Sequence, residues 1–466
     1  MAESTAGRPA PNARGTSTPS AFTADAVAAL QGPRWLCDAR QEAFERFQAA
    51  TMPAESEEVW RYSRIDDLDL DAYSPQSGSE VATSQPGAGI PASAARLAHQ
   101  LVDGLGERSG LVIERGGRLV QLELDPAAAA QGLELGRLSE AANGSELLGA
   151  VAGTPDALVE LANAFMPDAV VVSVPPRVCL AAPVVILRWA SVGSGALFPR
   201  TVVRLGHSAQ ASVVEVLIGT DVATLVVPVV ELDVNEDAQL GYVGIQELGP
   251  KAWQVAYQAS RVARYGHLRS FSMGLGGHYA RLRTDSRLAG HGGSSDLMAA
   301  YFGDGDQMHD FRTLQDHDAP KTTSDLLFKG AVAGQSRSVY SGLIRVRRGA
   351  VGTNAYQTNR NLVLSEGAHA DSVPNLDIAE NDVRCSHASA VGPIDEEQRY
   401  YLESRGIPPE VADRLIVQGF FDDILARAPV PGIAPYLRAA VAAKLPAGSV
   451  PAGSLLVGSA AGPREV

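Results

Sequence analysis

Cys385 and His387 stand one residue apart, and they are the pair in this sequence best suited to holding a soft or borderline metal. On a β-strand, residues two apart project to the same face, and thiolate and imidazole are both ligands for such ions. The same spacing also suits a buried cysteine beside a hydrogen-bonded histidine. His309, Asp310, Arg312, Thr313, Asp316 and His317 form a second polar cluster that could serve metal or general-base chemistry. Its spacing matches no helix-borne H-E-x-x-H arrangement. The alternative is a set of polar residues that satisfy turns. Gly292-Gly293-Ser294-Ser295-Asp296 has the flavour of a calcium-binding nonapeptide, but it occurs once where such sites need stacked copies. Asp304-Gly305-Asp306 reads as a turn.

Several chemistries lack their signatures. There is no G-x-x-x-x-G-K-[ST] phosphate loop, no G-x-S-x-G serine elbow and no G-x-G-x-x-G dinucleotide fingerprint. Only four of the 39 basic residues are lysines: Lys251, Lys321, Lys329 and Lys444. The 3 cysteines, Cys37, Cys179 and Cys385, are far apart and unpaired in sequence. They offer neither a disulfide framework nor a structural zinc site and fit a reducing cytosol. An iron–sulfur site usually takes about four Cys or His ligands, so this chain could contribute to one only by sharing it with a partner. A net charge of −14 argues against a nucleic-acid partner. No apolar run reaches the ~20 residues of a membrane span, and the polar start lacks the core of a secretion signal. A cytoplasmic location is expected.

The elements that would position these residues fall into five stretches of the 466-residue chain. Residues 1–22 have a disordered composition. Residues 23–168 read as an N-terminal, largely helical domain. Pro33 opens a helix whose apolar face is Trp35, Leu36, Ala39, Ala43, Phe44 and Phe47. Helices are also expected over 92–105 and 139–165, with a strand–turn–strand pattern at 111–124 around Gly116-Gly117. From Ala169 the texture becomes β-branched and broken by prolines. Short strands then recur to about Gly392, punctuated by corners such as Gly206-His207-Ser208-Ala209, Glu236-Asp237-Ala238 and Gly334-Gln335-Ser336. The irregular interval of roughly 20–40 residues fits stacked rungs of a β-helix, with a β-sandwich as the competitor. Residues 393–446 return to helix. Asp395 is an N-cap with Gln398 at the capping-box position, Arg405-Gly406 is a stop, Pro409 is a second start, and a third helix covers 433–445. Residues 447–466 form a loose tail.

One ordered series of motifs is more specific than any of these. It comprises His309-Asp310-Phe311-Arg312-Thr313, Thr322-Thr323-Ser324-Asp325-Leu326-Leu327-Phe328-Lys329-Gly330, Tyr340-Ser341-Gly342-Leu343-Ile344, Ala355-Tyr356-Gln357-Thr358-Asn359-Arg360-Asn361-Leu362, Pro374-Asn375-Leu376-Asp377-Ile378, Asp382-Val383-Arg384-Cys385-Ser386-His387-Ala388 and Tyr400-Tyr401-Leu402-Glu403-Ser404-Arg405-Gly406-Ile407. Together these closely resemble the SufB/SufD family of iron–sulfur cluster assembly scaffolds. A weaker likeness reaches back to Val59-Trp60-Arg61-Tyr62-Ser63. Within the family the chain resembles the SufD type. It has the SufD-type Cys385-Ser386-His387, whereas SufB-type chains have His-Glu-Ala near Ser386-His387-Ala388, and Asn359-Arg360-Asn361-Leu362 where they have Cys-Asp-Ser-Leu.

The resemblance implies a mainly β fold, a right-handed parallel β-helix flanked by helical N- and C-terminal regions. It implies a non-enzymatic subunit that pairs with a SufB-like chain through the β-helix. The C-terminal helices would dock a SufC-like ATPase, and this chain would bind no nucleotide itself. It places a nascent iron–sulfur cluster at the SufB–SufD seam, with His387 matching the family's interface ligand and Cys385 a weaker candidate. A reduced flavin is implied in some complexes of the family, though nothing in the sequence places its site. Two alternatives remain at this point: a purely structural subunit without ligands of its own, and a β-helix carbohydrate-active enzyme.

Overall fold

The structure is a computed structural model, and it describes residues 21–76, 104–190, 193–430 and 432–445. The expected helix over 92–105 falls mostly outside the described residues, as do most of the tail 1–22 and all of the tail 447–466. From Ala169 onward the chain winds as a parallel β-solenoid of about 8 turns. Each turn contributes one strand to each of two sheets. One sheet steps through Ala169–Val174, Arg200–Leu205, Val229–Val234, Trp253–Val262, Tyr279–Leu288, Met308–His317 and Arg337–Val346 to His369–Ile378. The other steps through Val184–Trp189, Gln210–Ile218, Gln239–Glu247, His267–Gly274, Ser294–Gly303, Thr323–Val332 and Asn354–Val363 to Arg384–Gly392. The solenoid, rather than the sandwich, is what the recurring corners encode.

The corners form a stacked column. Arg177, Ser208, Asp237, Tyr265, Gly292, Lys321 and Gly352 all adopt φ between +54° and +76°. Each donates its backbone N–H to the following rung: Ser208 to Glu236, Asp237 to Arg264 and Tyr265 to His291, for example. A left-handed non-glycine residue costs about 1–2 kcal/mol. Here the ladder of corner hydrogen bonds offsets that cost, so the column tolerates five residues that carry a Cβ.

Alternation along the strands sorts side chains into a lumen and two outer faces. Val172, Val203 and Val230 of one sheet meet Ile186, Val213 and Tyr242 of the other inside the first rungs. Outside the first sheet, Phe44, Phe47, Trp60 and Phe165 of the N-terminal region cover Val255, Tyr257 and Tyr279. Outside the second sheet, Val417, Phe421, Leu437 and Val441 of the C-terminal helices cover Phe271, Met298, Ala300 and Phe302.

These helices are Glu396–Ser404, Pro409–Leu425 and Ala434–Lys444, close to the expected spans. Asp395 accepts from the backbone N–H groups of Glu397 and Gln398 as an N-cap, and Gly406 ends the first helix at φ +83°. The nearly buried Lys329 fixes the second helix to the sheet through the Phe420 carbonyl (2.9 Å) and the Asp423 carboxylate (2.6 Å).

The N-terminal region is less separate than its helical pattern implies. The 111–124 pattern is an antiparallel hairpin, Gly110–Arg115 with Arg118–Leu124, turning at Gly116 and Gly117 with positive φ. Its first strand pairs in parallel with Val184–Trp189 and so extends the solenoid sheet. The expected long helix over 139–165 is broken, with its main piece at Ala157–Phe165. Phe22 packs edge-on against Phe165 and is fully buried.

The two ends of the lumen differ. At the first rungs Ala128, Leu133 and Leu135, from a short helix and an antiparallel strand, pack into the lumen cluster and plug it. At the last rung, His369–Ile378 and Arg384–Gly392 are the terminal strands of their sheets. Nothing among the described residues covers them. Their lumen-side residues Leu376, Ile378 and Val391 stay 37–44% exposed. Repeat structures normally close both ends, and a long bare edge strand invites pairing with another chain.

Candidate functional site

Cys385 and His387 lie on this last strand, at the open end. The strand pairs in register with the rung beneath, Cys385 opposite Ala355 and His387 opposite Gln357. Cys385 packs with Ile344, Val346, Ala350 and Ala355, which places it on the lumen face. His387, two residues on, shares that face and is exposed. The two side chains do not behave alike. Burial pushes the half-buried Cys385 thiol up, which disfavours the thiolate that would bind a metal. His387 is the accessible donor. Among the described residues the chain brings no third metal-type donor to this pair.

The 309–317 cluster is taken apart by strand alternation. His309, Phe311, Thr313, Gln315 and His317 face the lumen, whereas Asp310, Arg312 and Asp316 face outward. His309 and His317 sit at opposite ends of one strand, about 26 Å apart at 3.3 Å per residue. They cannot share an ion. His317 is held by Thr322 (2.8 Å) and Ser324 (3.0 Å) at the corner, and burial pushes its imidazole down to about 4. His309 is fully buried and burial pushes it to about 3. The Phe302 backbone approaches it without hydrogen-bond geometry, so among the described residues neither ring nitrogen has a partner.

Asp310 does structural work that the sequence does not announce. It accepts from Arg281 (2.6 Å), Arg312 (2.6 Å) and the Tyr279 hydroxyl (2.7 Å). The two arginines pass on to the carbonyls of Val59 (2.8 Å) and Arg61 (2.7 Å), and Arg281 lies 3.6 Å above the Trp60 ring. Two motifs 250 residues apart in sequence are thereby one clamp that holds the N-terminal region to the solenoid.

The remaining candidates resolve as structure. Gly292 is a corner, Ser295 bonds Ser286 in the lumen (2.9 Å), and Asp296 faces His267 and Arg269. Asp304 anchors Lys444 (2.9 Å) beside the positive-φ Gly305. His207, Glu236 and Asp237 do bring donor atoms within 4.8 Å of one another, but this group lies at a corner of the early rungs, and Arg264 already pairs with Glu236.

The lumen changes character along its length. Valine, leucine and isoleucine dominate the first rungs, around a buried Arg188 that pairs with Glu215 and Thr201. Near the open end come His309, Thr313, Gln315, Ser338, Gln357, Asn359 and Asn361, all buried. Asn359 donates to Tyr301 (3.2 Å) and the Phe328 carbonyl (3.3 Å), Tyr301 donates to Asn361 (2.6 Å), and Asn361 donates to Asn359 (2.8 Å). A lumen cavity of about 80 Å³, lined by Gln254, Gln258, Ser272 and His309 among others, lies in the middle rungs rather than at His387. Pockets for ligands of flavin size run to about 300 Å³ or more. That cavity does not fit a flavin.

The family model for the SUF system FeS cluster assembly SufBD core domain matches residues 188–420, half of the chain. The chain belongs to the SufBD family. An iron–sulfur cluster assembly SufBD family protein of Mycobacterium tuberculosis is 40% identical over 220 residues, covering 46% of this chain and 55% of that protein. The iron–sulfur cluster assembly protein SufD of Escherichia coli is 29% identical over 246 residues, 53% of this chain and 58% of that one. SufD of Bacillus subtilis is 35% identical over 160 residues, 34% and 37%. The chain spans about half the length of the curated relatives it matches. The SufBD match takes in most of the solenoid, the open end and much of the C-terminal helices. No helix among the described residues is long and apolar enough to cross a membrane.

Proposed function

We propose that this chain is a SufD-type subunit of an iron–sulfur cluster assembly complex. A SufB-like partner docks end-on against its open solenoid rung, and nascent cluster or iron is cargo at the seam. The observation that carries the reading is the asymmetry of the lumen, plugged at its first rungs and, among the described residues, bare at its last, with His387 on the lumen face there. A partner sheet added to the two bare edges would satisfy their backbone groups and cover Leu376, Ile378 and Val391.

This chain's part in the chemistry is narrow. A neutral imidazole at His387 offers one lone pair to iron. Cys385 lines the seam beside it as an apolar wall more than as a ligand. Asn359, where SufB-type chains carry a cysteine, is a fully buried amide locked to Tyr301, so no thiolate can form there. The remaining ligands come from the partner. The helix Glu396–Ser404 has no buried residue and presents Tyr400 and Tyr401 to solvent at 73% and 57% exposure. It is the surface we assign to a SufC-like ATPase, whose closure would strain the seam.

A tagged pull-down of the full chain from its source cell, with partners identified by mass, tests the assignment. Recovery of a SufB-like chain and a P-loop ATPase is the expected result. Recovery of the chain alone, or as a stable homodimer, would leave the fold and remove the shared-site function.

A further inference from the structure

Gln357 lies in register beneath His387 in the adjacent rung and on the same lumen face. It is 1% exposed, and among the described residues neither its Nε2 nor its Oε1 has a hydrogen-bond partner. A buried amide left unpaired bears its full desolvation penalty, so such groups in native proteins call for an explanation. The neighbouring lumen amides of the same strand, Asn359 and Asn361, close on each other and on Tyr301. The Tyr340 hydroxyl is taken up by Thr313 (3.2 Å). Gly342 leaves room here chiefly for the Tyr340 ring, and a Cβ on it would also crowd the Gln357 amide. The structure therefore holds an unpaired amide directly behind the imidazole that ends the lumen, whereas Gln315, unpaired likewise, lies on another strand deeper in the lumen.

We infer that Gln357 is a positioning residue for His387. When the partner closes the open end, the Gln357 carbonyl oxygen accepts the N–H of one His387 ring nitrogen and holds a single tautomer. The lone pair of the other nitrogen is then aimed at the seam. Histidine ligands are ordinarily oriented in this way by a second group, and loss of that group typically costs about 10–100-fold in metal affinity. The inference rests on His387 being an iron donor, as proposed above.

The test uses the full chain assembled with its SufB-like and SufC-like partners. Three variants are compared, Gln357→Met, Gln357→Glu and His387→Ala. Met keeps the volume and removes the unpaired amide, so the chain should fold. Glu keeps a carbonyl-type acceptor and controls for any packing defect. Two readouts are taken: the His387 tautomer from ring ¹⁵N shifts, with His387→Ala identifying the resonance, and iron retained per complex after dialysis against a chelator. Gln357→Met should mix the tautomers and cut iron retention by about 10-fold or more, while Gln357→Glu should keep a single tautomer. A wild-type tautomer in Gln357→Met overturns the inference even if His387→Ala loses iron. Wild-type iron in His387→Ala sinks the donor reading instead, and the tautomer readout still decides whether Gln357 orients the ring.

Discussion

Asp310 receives Arg281 at 2.6 Å on the outer face of the solenoid, and both side chains are almost completely buried. Burial alone would raise the Asp310 carboxyl, but Arg281 and Arg312 outweigh it and hold the group below the ordinary carboxylate range. Removing one member of a buried pair leaves an uncompensated charge and typically costs about 3–5 kcal/mol. Asp310→Ala should lower the unfolding free energy measured in urea by that order and release the segment around Trp60, which loses its hold on the Val59 and Arg61 carbonyls. Limited proteolysis should then cut at Arg61 or Arg64 before the solenoid is touched. Unchanged stability with an uncut N-terminal segment would contradict the clamp.

The same group sets an acid limit. Its folded-state affinity for protons is depressed, so the contribution is present above the ordinary value of 3.8 and is lost as pH falls below it. Asp310→Asn should remove that acid limb from the stability profile.

His309 and His317 act in the same direction at higher pH, because burial keeps both rings deprotonated in the folded state. Burial pushes them to about 3 and about 4, whereas the unfolded chain titrates at 6.5. Between pH 6.5 and 4 the unfolded state binds protons that the folded state refuses. Stability should therefore fall with pH by about 1.4 kcal/mol per unit for each histidine. Denaturant midpoints at pH 7, 6, 5 and 4.5 would trace it, and His317→Gln should roughly halve the slope. A flat profile in the wild type would mean that the lumen admits a charged imidazole.

The Lys329 latch joins solenoid and helix through Phe420 and Asp423. Its partner carboxylate is 61% exposed, so the ion pair itself is partly screened. The larger loss in Lys329→Met is the donor to the helix carbonyl. The expected outcome is an intact solenoid by circular dichroism, faster cleavage between the C-terminal helices and a several-fold weaker capture of the ATPase. Wild-type protection of the helices would assign their docking to Phe421 and Leu437 alone.

Ile378→Asp and Val391→Asp place charge on the open end, at side chains that are 42% and 44% exposed and outside the buried core. Each should leave the isolated chain as stable as the wild type, within about 0.5 kcal/mol, yet abolish co-purification of the SufB-like partner. A complex that survives both substitutions would place the partner elsewhere.

Much of this architecture was readable from residue order. The change of texture at Ala169, the corners around Ser208 and Asp237, the turn at Gly116-Gly117 and the starts at Asp395 and Pro409 are local signals, and each sits where backbone chemistry requires it. The break between Thr224–Val226 and Val229–Val234 was not readable, because Pro228 lies inside an otherwise apolar run. The 139–165 helix failed for a tertiary reason, since Val151 and Ala152 give their N–H groups to Glu231 of the solenoid rather than to a helix. At the site, alternation placed Cys385 and His387 on one face. It could not show that this face is the open end of a lumen, which depends on where the stacking stops. Gln357 had no sequence signal, because an amide in a strand looks alike whether its partner is present or missing. The clamp of Asp310 on Trp60 joins segments too distant for spacing to reveal.

The most direct measurement is the iron and acid-labile sulfide carried by the reconstituted complex with His387→Ala beside the wild type, at matched recovery of all three chains. The reading of His387 as the chain's donor at the seam expects an intact complex with a large fraction of both elements lost. A variant complex that carries wild-type iron and sulfide would contradict it, and the chain would then be a scaffold that completes the fold of its partner without touching the cargo.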